Sequence, residues 1–278
     1  MTSLALPPTP FYTDLHTQYI QELGEKTDSY EYQVTEHLRM SGIYWGFTAM
    51  SLLKSQDAMN PLAIVEWVMQ GYQYNATTHT GGWGGNTGHD VHLLYTTSAV
   101  QILAIAGQLQ VLEDNDNAHK NAIVKYIQSL QQTDGSFAGD QWLEIDTRFS
   151  YCAMLTLSIL NRLDAVDVPL SNRFIVSCQN FDGGYGCVPG AESHAGQIFC
   201  CVGALSVRSV HSCCVRAWWW WLGGWVHTDG VLFVVDLVFF FFLNSSLLLA
   251  VGGALWNVYF FPSLFSLFAC RLAMGWTV

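Results

Sequence analysis

Apolar residues recur along the chain at helical spacing, and they group into pairs of helices separated by glycine-containing turns. One helix of each pair is amphipathic: Ile123, Ile127 and Leu130 fall on one face of a helix predicted for residues 118–130. The other helix is apolar almost all round, as in residues 147–163, which is typical of a helix buried between others. The pattern predicts an all-α protein made of repeated helix, turn and helix.

Signals at helix ends place the remaining helices. Asn60 followed by Pro61 is a cap with proline at the first helical position, and it begins a helix over residues 62–69. Gly107 lies where a glycine would end an apolar helix over residues 91–106. The other predicted features are Asp90 and Asn117 as caps of the helices that follow them, a third apolar helix over residues 36–53, and a long glycine-rich loop over residues 71–90.

The turn inside each pair is a repeated motif. Residues 131–137 and 179–185 carry a Gln, an Asp-Gly and an aromatic residue at the same offsets, and a looser copy ends at Trp83. The repeated aromatic residues are 54 and then 48 residues apart, in or just above the range of repeat proteins. Tight turns are therefore predicted at Gly81–Gly82, Asp134–Gly135 and Asp182–Gly183. Such pairs bury their apolar faces only by stacking, so the apolar helices should form an inner layer of a solenoid or ring.

Composition narrows the class of protein. The formal net charge of -11 disfavours nucleic acid as a partner. The eight cysteines form no C-x-x-C pair and no regular framework, which is typical of reduced, mostly buried thiols in an intracellular protein. The first ten residues lack a basic segment followed by an apolar run, so we expect no secretory signal and a cytoplasmic location.

Two polar motifs resemble metal sites but have simpler explanations. His89 and His92 have the spacing of a metal-binding pair, yet they stand at a predicted helix start without a third ligand nearby, which favours capping and packing. The acidic run over residues 113–117 could hold magnesium for a diphosphate, but its turn-forming residues favour a solvated connection between helices.

For two further polar groups, the sequence is compatible with either a structural role or a functional role. Residues 144–152 bring two acids, an arginine and a tyrosine to the start of an apolar helix, which can be a salt-bridged terminus or part of a site. His194 precedes another predicted helix start, where a histidine can cap the helix or free backbone N–H groups can bind an anion. The residues alone do not choose between these alternatives.

The last part of the chain has a different composition. Residues 207–278 contain the homopolymer runs Trp218–Trp221 and Phe239–Phe242 and only five charged residues. U-rich and GU-rich RNA encodes such residues in any frame, so we interpret this tail as foreign to the fold and translated from an intron. A membrane anchor is the alternative, because residues 247–270 are 24 residues without a charge. The chain is accordingly divided into an N-terminal segment (residues 1–29), a repeat region (residues 30–206) and a hydrophobic tail (residues 207–278).

Several of these segments, in order, resemble one family. They lie between about residues 14 and 206 and comprise residues 37–46, 88–95, 134–140, 145–149, 178–187 and 193–201. Together they are similar to the β subunits of protein prenyltransferases. Among the three classes of that family, they resemble the Rab geranylgeranyltransferase, or type II, β subunits most closely.

The resemblance implies a fold and an activity. It implies an α-α toroid whose inner helices line an aromatic funnel for an isoprenoid diphosphate. In that family geranylgeranyl passes from its diphosphate to C-terminal cysteines of Rab GTPases, an α subunit completes the enzyme, and an escort protein presents the Rab. Zinc holds the acceptor cysteine as a thiolate, so zinc is the cofactor that the resemblance implies.

The resemblance also assigns residues. The segment His194, Ala195 and Gly196 matches the diphosphate-contact segment of the family, and Tyr95, Arg148 and Tyr151 match positions in the funnel. Ser41 matches a small residue where the farnesyl enzyme is bulky, which would leave room for a longer prenyl chain. We expect Tyr95, Arg148 and His194 to face one concave side.

The tail departs from the family pattern. The family has an Arg and a Lys for the diphosphate in the next repeat, then an Asp-x-Cys and a later His for zinc, and none of these has a match after Ser206. We therefore assign no catalytic residue and no zinc ligand, and we expect this chain to be truncated and impaired. Two alternatives remain: a non-catalytic repeat module that binds the α subunit or a lipid, and a triterpene-cyclase-like toroid, which lacks support from an Asp-rich protonating motif.

Overall fold

A computed structural model of the chain describes residues 11–207, all of which lie within one compact unit, Met1–Val235. The described elements are α1 (Thr13–Glu25), α2 (Tyr30–Val34), α3 (Arg39–Leu52), α4 (Pro61–Gln70), β1 (Gln73–Asn75), β2 (Thr80–Gly82), α5 (Leu93–Ile105), α6 (Asp114–Leu130), α7 (Thr147–Ile159), α8 (Val168–Ser177) and α9 (Ala195–Val207). Four short 3-10 helices accompany them, at Glu36–Leu38, Gln56–Met59, Leu109–Leu112 and Leu163–Ala165. The predicted helix-pair architecture is confirmed.

The apolar helices form the inner layer. Helices α3, α5, α7 and α9 pack against one another in that order, while α4 packs on α5, and α8 packs on both α7 and α9. Helix α5 buries residues on every side, including the polar Thr96, Thr97 and Gln101, as expected for a helix between two others. Helices α3, α5, α7 and α9, which carry few charges, thus make the core onto which the shorter helices α4 and α8 pack.

Two of the three predicted turns have the predicted geometry, whereas the turn predicted at Gly81–Gly82 is wrong because both glycines belong to strand β2. Gly135 and Gly183 adopt positive φ angles of 92° and 82°, a conformation that only glycine adopts without strain. The Asp134 and Asp182 carboxylates each accept a hydrogen bond from the backbone N–H two residues later, at 2.9 and 2.8 Å. The repeated aromatic side chain of each turn is buried: Trp83 and Phe137 completely and Tyr185 almost so.

The starts of the inner helices are held by a recurring backbone contact. An N–H group in the first turn of each of α3, α5 and α7 donates to a carbonyl in the loop of the next repeat. The pairs are Met40 to Gly85 (2.8 Å), Leu93 to Gly139 (2.8 Å) and Thr147 to Cys187 (2.9 Å). These contacts fix the first turns of α3, α5 and α7 relative to one another, which is where the candidate functional residues lie.

Two segments contain structure that the sequence pattern does not predict. The loop at residues 71–90 includes an antiparallel hairpin in which β1 pairs with β2, Tyr74 lying opposite Gly81. Gly81 is required there because the Tyr72 hydroxyl occupies the place of its missing Cβ. The polar N-terminal segment forms α1, although none of that helix's residues is buried.

Two predicted caps are wrong. Helix α5 is capped by the His92 side chain rather than by Asp90, because the chain stays extended until His92. Helix α6 begins at Asp114, inside the acidic run, and Asn117 lies within it instead of capping it. Acidic residues favour the positive end of the helix dipole, so the run starts the helix and does not form a connection ahead of it.

Other sequence predictions have a mixed outcome. Asn60 caps α4 as predicted, and Gly107 follows α5 with a φ of 66°. Cys152, Cys178, Cys200 and Cys201 are buried free thiols and Cys187 is partly exposed, whereas Cys213, Cys214 and Cys270 lie outside the described residues. Within residues 11–207 no helix is long and apolar enough to cross a membrane. The interpretation of residues 207–278 as a foreign tail falls almost wholly outside the described residues and stays a prediction.

Candidate functional site

One polar residue stands directly before each of three consecutive inner helices. His92, Asp146 and His194 precede α5, α7 and α9, and they are separated by the same 54 and 48 residues as the repeated aromatics. Each side chain caps its helix by accepting a backbone N–H hydrogen bond from the residue two positions later. The donors are Leu94 (3.1 Å), Arg148 (2.7 Å) and Gly196 (3.0 Å). The cap is therefore a repeat position, filled by a different polar side chain each time.

Capping through Nδ1 determines the role of the other imidazole nitrogen. A ring nitrogen that accepts an N–H bond carries no proton, so the neutral His92 and His194 rings are protonated at Nε2. Burial lowers the pKa of His92, although Asp140 and Glu144 act in the opposite direction, so its ring stays neutral. Both histidines thus offer an N–H donor on the side away from their helix.

Arg148 is the cation of this cluster. Its Nη2 atom lies 2.9 Å from Asp146 Oδ2, and the Asp146 side chain is only 8% exposed whereas that of Arg148 is 48% exposed. The hydrogen bond with Asp146 is the main cause that raises the pKa of Arg148. A buried carboxylate therefore holds a half-exposed guanidinium at the start of α7.

A buried polar junction joins α7 to α9. The Thr147 hydroxyl lies 2.7 Å from Gln197 Oε1 and 3.1 Å from the Gly186 carbonyl, and the Gln197 amide lies 3.5 Å from Asp146 Oδ2. Thr147 is fully buried, so these bonds are shielded from water. The junction fixes the segment around His194 relative to Arg148.

Asp146 should matter for stability through two separable interactions. We expect Asp146→Ala to lower the free energy of unfolding by ~2 kcal/mol, because it removes the helix cap and leaves Arg148 without its partner. Asp146→Asn should cost about half as much, since the amide oxygen still caps α7. Urea denaturation of the full chain measures both, with Asp164→Ala as the control, because Asp164 pairs with Arg162 at an exposed site. Equal losses for Asn and Ala would contradict the capping role.

Aromatic rings extend from this polar cluster. The His92 ring centroid lies 5.6 Å from Tyr95 and 5.3 Å from Phe149, and Tyr151 makes an edge contact with Phe199 at 5.4 Å. Gly203 on α9 lies so close to Tyr151 that a Cβ there would come within 2.7 Å of the ring. Burial raises the pKa of Tyr151 well above its ordinary value, and its hydroxyl has no hydrogen-bond partner among residues 11–207. Six other buried side-chain polar atoms among residues 11–207 also have no partner, so the Tyr151 hydroxyl marks a binding position only together with its place beside the polar cluster.

Ser41 lies one helix further along. It is 2% exposed, and its hydroxyl lies 3.2 Å from the Ser98 hydroxyl across the contact between α3 and α5. The neighbouring pair, Gln101 and Tyr44, is also hydrogen-bonded, at 2.8 Å. Ser41 is therefore a small residue in a closely packed helix contact.

The structure connects some of the predicted site residues directly and others only through neighbours. Arg148 and Tyr151 share α7, and Tyr95 reaches α7 through His92 and Phe149. His194 is joined to Arg148 through Gln197 and Asp146. The arrangement of Tyr95, Arg148 and His194 on one concave side stays a prediction, as do the roles of all the site residues.

Sequence reasoning weighs His92 only as half of a metal pair and Asp146 only as a member of the polar group at residues 144–152, and it gives Gln197 no role. The signal that identifies His92 and Asp146 is their repeat position, since each stands seven residues after a loop carbonyl that holds the preceding inner helix. Gln197 carries no comparable signal, because its hydrogen bond with Thr147 forms only when α9 packs on α7.

The structure bears on two of the polar groups for which the sequence left a choice: the His89 and His92 pair, and His194 at the start of α9. His89 bonds to Glu36 at 3.1 Å while His92 caps α5, so the two histidines do not act as a metal pair. Among the described residues no group of three His, Cys, Asp or Glu side chains could hold a metal ion. At the start of α9 the Gly196 N–H is already bonded to His194, so an anion there would rely on the His194 Nε2–H and on the helix dipole rather than on that amide.

Comparison with known proteins identifies similar chains. The family model for the prenyltransferase alpha-alpha toroid domain matches residues 11–224. The Candida albicans geranylgeranyl transferase type-2 subunit beta is 42% identical over 213 residues, covering 73% of this chain and 61% of the relative. The Saccharomyces cerevisiae type-2 subunit beta is 42% identical over 194 residues (70% and 58%), and the Arabidopsis thaliana type-2 subunit beta 1 is 47% identical over 199 residues (71% and 59%).

A solved structure has the same fold. The Candida albicans protein geranylgeranyltransferase-I complexed with GGPP matches with a TM-score of 0.63 at 17% identity, covering 72% of this chain and 60% of that one. At this identity the likeness concerns the fold alone. The chain spans about three fifths of the length of the curated relatives named above.

Proposed function

The chain belongs to the prenyltransferase alpha-alpha toroid family, and from this premise we propose that it is the β subunit of a type-2 protein geranylgeranyltransferase. The observation that carries the proposal is the 42% identity to type-2 β subunits from two yeasts, supported by 47% identity to one from a plant. A type-1 β subunit from Arabidopsis thaliana is only 28% identical. This difference supports the type-2 class.

We propose geranylgeranyl diphosphate as the prenyl substrate, with its diphosphate beside His194, Ala195 and Gly196. The start of α9 carries the positive end of a helix dipole, and His194 adds an Nε2–H donor. Arg148 supplies a permanent positive charge one helix away. Together these groups would neutralise the charge of the leaving diphosphate as the carbon–oxygen bond breaks.

The prenyl chain would lie against the aromatic residues of the inner helices. Tyr95 and Tyr151 line this path in our proposal, and Ser41 stands at its far end. Tyr151 supports it because its buried hydroxyl lacks a partner among the described residues, while its ring offers an apolar edge. In our proposal the small side chain of Ser41 is what would admit a fourth isoprene unit at this end.

The proposed partners follow from the same class. An α subunit would complete the enzyme, and a Rab GTPase presented by an escort protein would supply the acceptor cysteines in the cytoplasm. Nucleic acid is not among the proposed partners, because the chain carries a net charge of -11.

Zinc is expected of the family, but residues 11–207 do not fit it, since they contain no group of three potential ligands. The family's zinc motif also has no match in the sequence after Ser206. We therefore propose that this chain binds the prenyl diphosphate and does not by itself complete the transfer to cysteine.

Binding measurements test the proposal. We expect the chain, purified with its α subunit, to bind geranylgeranyl diphosphate more tightly than geranylgeraniol, which lacks the diphosphate. His194→Ala should weaken binding of the diphosphate roughly tenfold, because one hydrogen bond to a charged group is lost, and should leave binding of the alcohol unchanged. His79→Ala is the control, since His79 bonds only to Tyr74 on the exposed hairpin.

Two results would count against the proposal. One is equal affinity for diphosphate and alcohol, which would indicate a lipid-binding module without a diphosphate site. The other is transfer of geranylgeranyl to an escort-bound Rab by this chain, which would overturn the proposed loss of catalysis.

A further inference from the structure

Helix α1 exposes an apolar stripe. Phe11, Leu15, Tyr19 and Leu23 follow one another at intervals of four residues, and they are 72, 62, 59 and 51% exposed. Residues four apart lie on the same face of a helix, so the three that belong to α1 form one continuous strip, with Phe11 just ahead of it. A surface helix ordinarily turns such a strip toward the core. This one is turned toward solvent.

The helix is nevertheless attached to the fold by its other face. The Thr17 hydroxyl lies 3.4 Å from the Ser55 hydroxyl, and Ile20 packs where Gly46 of α3 has no side chain. The stripe is therefore not free to rotate inward without breaking the contact between α1 and α3. The exposure of the stripe is a fixed feature of the fold.

Three more large apolar residues close to the stripe in the sequence are exposed. Tyr12 precedes α1, and Tyr30 and Val34 belong to α2; they are 58, 75 and 47% exposed. We call these three residues and the stripe the α1–α2 surface. Tyrosine is enriched at protein interfaces because its ring buries a large apolar area while its hydroxyl still finds a polar partner.

The rim of this surface is acidic. Residues 11–39 contain one lysine and one arginine: Lys26 pairs with Glu22 at 3.1 Å, and Arg39 lies over the Tyr32 ring of α2. The acids of the same segment are Asp14, Glu22, Glu25, Asp28, Glu31 and Glu36. An anionic membrane surface would be repelled by this charge. A second copy of the surface would bring like charges together, so self-association is disfavoured as well.

We infer that the α1–α2 surface docks a different protein chain, one that presents an apolar helix face flanked by lysine and arginine. Because the curated relatives are named as subunits, we assign this partner as the α subunit, an identification that rests on the proposed function. The apolar stripe supplies the buried centre of the contact, and the acidic rim selects a basic partner. Helix α1 is then a subunit-binding element attached to the first repeat.

The inference is tested with the full chain and the recombinant α subunit that pairs with the Candida albicans relative. Leu15→Glu combined with Tyr19→Glu should weaken binding at least about tenfold, because two apolar contacts become charged at the centre of the interface. Leu62→Glu is the matched control, since Leu62 is 71% exposed on α4 and should leave binding unchanged. Glu25→Lys combined with Asp28→Lys should weaken binding at low salt and reduce its dependence on salt.

The outcomes separate this inference from the proposed function. Unchanged α-subunit binding by the Leu15→Glu, Tyr19→Glu chain would overturn the inference while leaving the prenyl site intact. Retained geranylgeranyl diphosphate binding by the same variant verifies that its repeats are folded. Stripe-dependent binding to phosphatidylserine vesicles, or stripe-dependent dimerisation, would also overturn it. Failure of the unmodified chain to bind any α subunit would refute both the inference and the proposed partner.

Discussion

Replacing Trp83 with alanine should lower the free energy of unfolding by ~3–5 kcal/mol. The indole is completely buried, packs against Tyr72 at a ring distance of 5.0 Å, and donates from Nε1 to the Val68 carbonyl at 2.6 Å. Alanine would leave a cavity and remove one of the two hydrogen bonds to the Val68 carbonyl, which would keep only the bond from the Gly71 N–H at 3.1 Å. Urea denaturation of the full chain, followed by circular dichroism, measures the loss.

Two variants sharpen this prediction. Trp83→Phe keeps most of the ring and loses only the N–H donor, so it should cost ~0.5–1.5 kcal/mol, because the Val68 carbonyl still accepts from Gly71. Trp142→Ala is the control for the same residue type, because Trp142 is 76% exposed and should change stability by less than ~0.5 kcal/mol. Similar losses for Trp83→Ala and Trp142→Ala would mean that the repeated turn aromatic does not anchor the repeats.

Ser41→Trp should shift prenyl preference from geranylgeranyl toward farnesyl diphosphate. If Ser41 stands at the far end of the prenyl path, the indole takes the space of about four carbons, and at ~0.8 kcal/mol per buried CH₂ the loss reaches ~3 kcal/mol, or roughly a hundredfold in affinity. Affinity for farnesyl diphosphate should change little, because the shorter chain does not reach that space. Competition binding with both diphosphates gives the ratio directly.

The burial of Ser41 calls for a control. Ser41 packs against Ser98 between α3 and α5, so a large side chain there also costs stability through overpacking, by ~1–3 kcal/mol. Ser41→Ala removes the hydroxyl without adding volume and should preserve the preference for geranylgeranyl diphosphate. An unchanged affinity ratio in a folded Ser41→Trp chain would show that Ser41 lies away from the prenyl path.

The spacing of the repeats and the residues of their turns predict most of the fold of residues 11–207. The turns at Asp134–Gly135 and Asp182–Gly183 follow from a conformation that glycine adopts and a bond that aspartate makes locally, so nothing distant can override them. The caps at Asp90 and Asn117 were wrong because several polar residues precede each helix, and tertiary contacts choose among them. Leu93 donates to Gly139 of the next repeat, which sets the start of α5 at His92.

Some residues of the candidate site could likewise be identified from the sequence, and others only from the packing of the helices. Arg148 and His194 stand out in the sequence because each is a polar residue at the start of a predicted apolar helix. Gln197 does not, since its contacts with Thr147 and Asp146 exist only after α9 has packed on α7. The exposed face of α1 could not be predicted either, because the same spacing of apolar residues is typical of a helix that faces the core.

The backbone contacts that hold the starts of α3, α5 and α7 also impose an order on biosynthesis. Each acceptor carbonyl lies 40 to 46 residues after its donor, so an inner helix cannot lock its first turn until that much more chain has left the ribosome. At about 5–20 residues per second, the wait is roughly 2–9 s per repeat. During that interval the newest inner helix packs on the preceding inner helix, but its first turn has not yet formed the backbone bond to the next repeat. Slow codons placed about one repeat downstream of a helix would therefore prolong its exposure to chaperones and proteases, although they encode none of its residues.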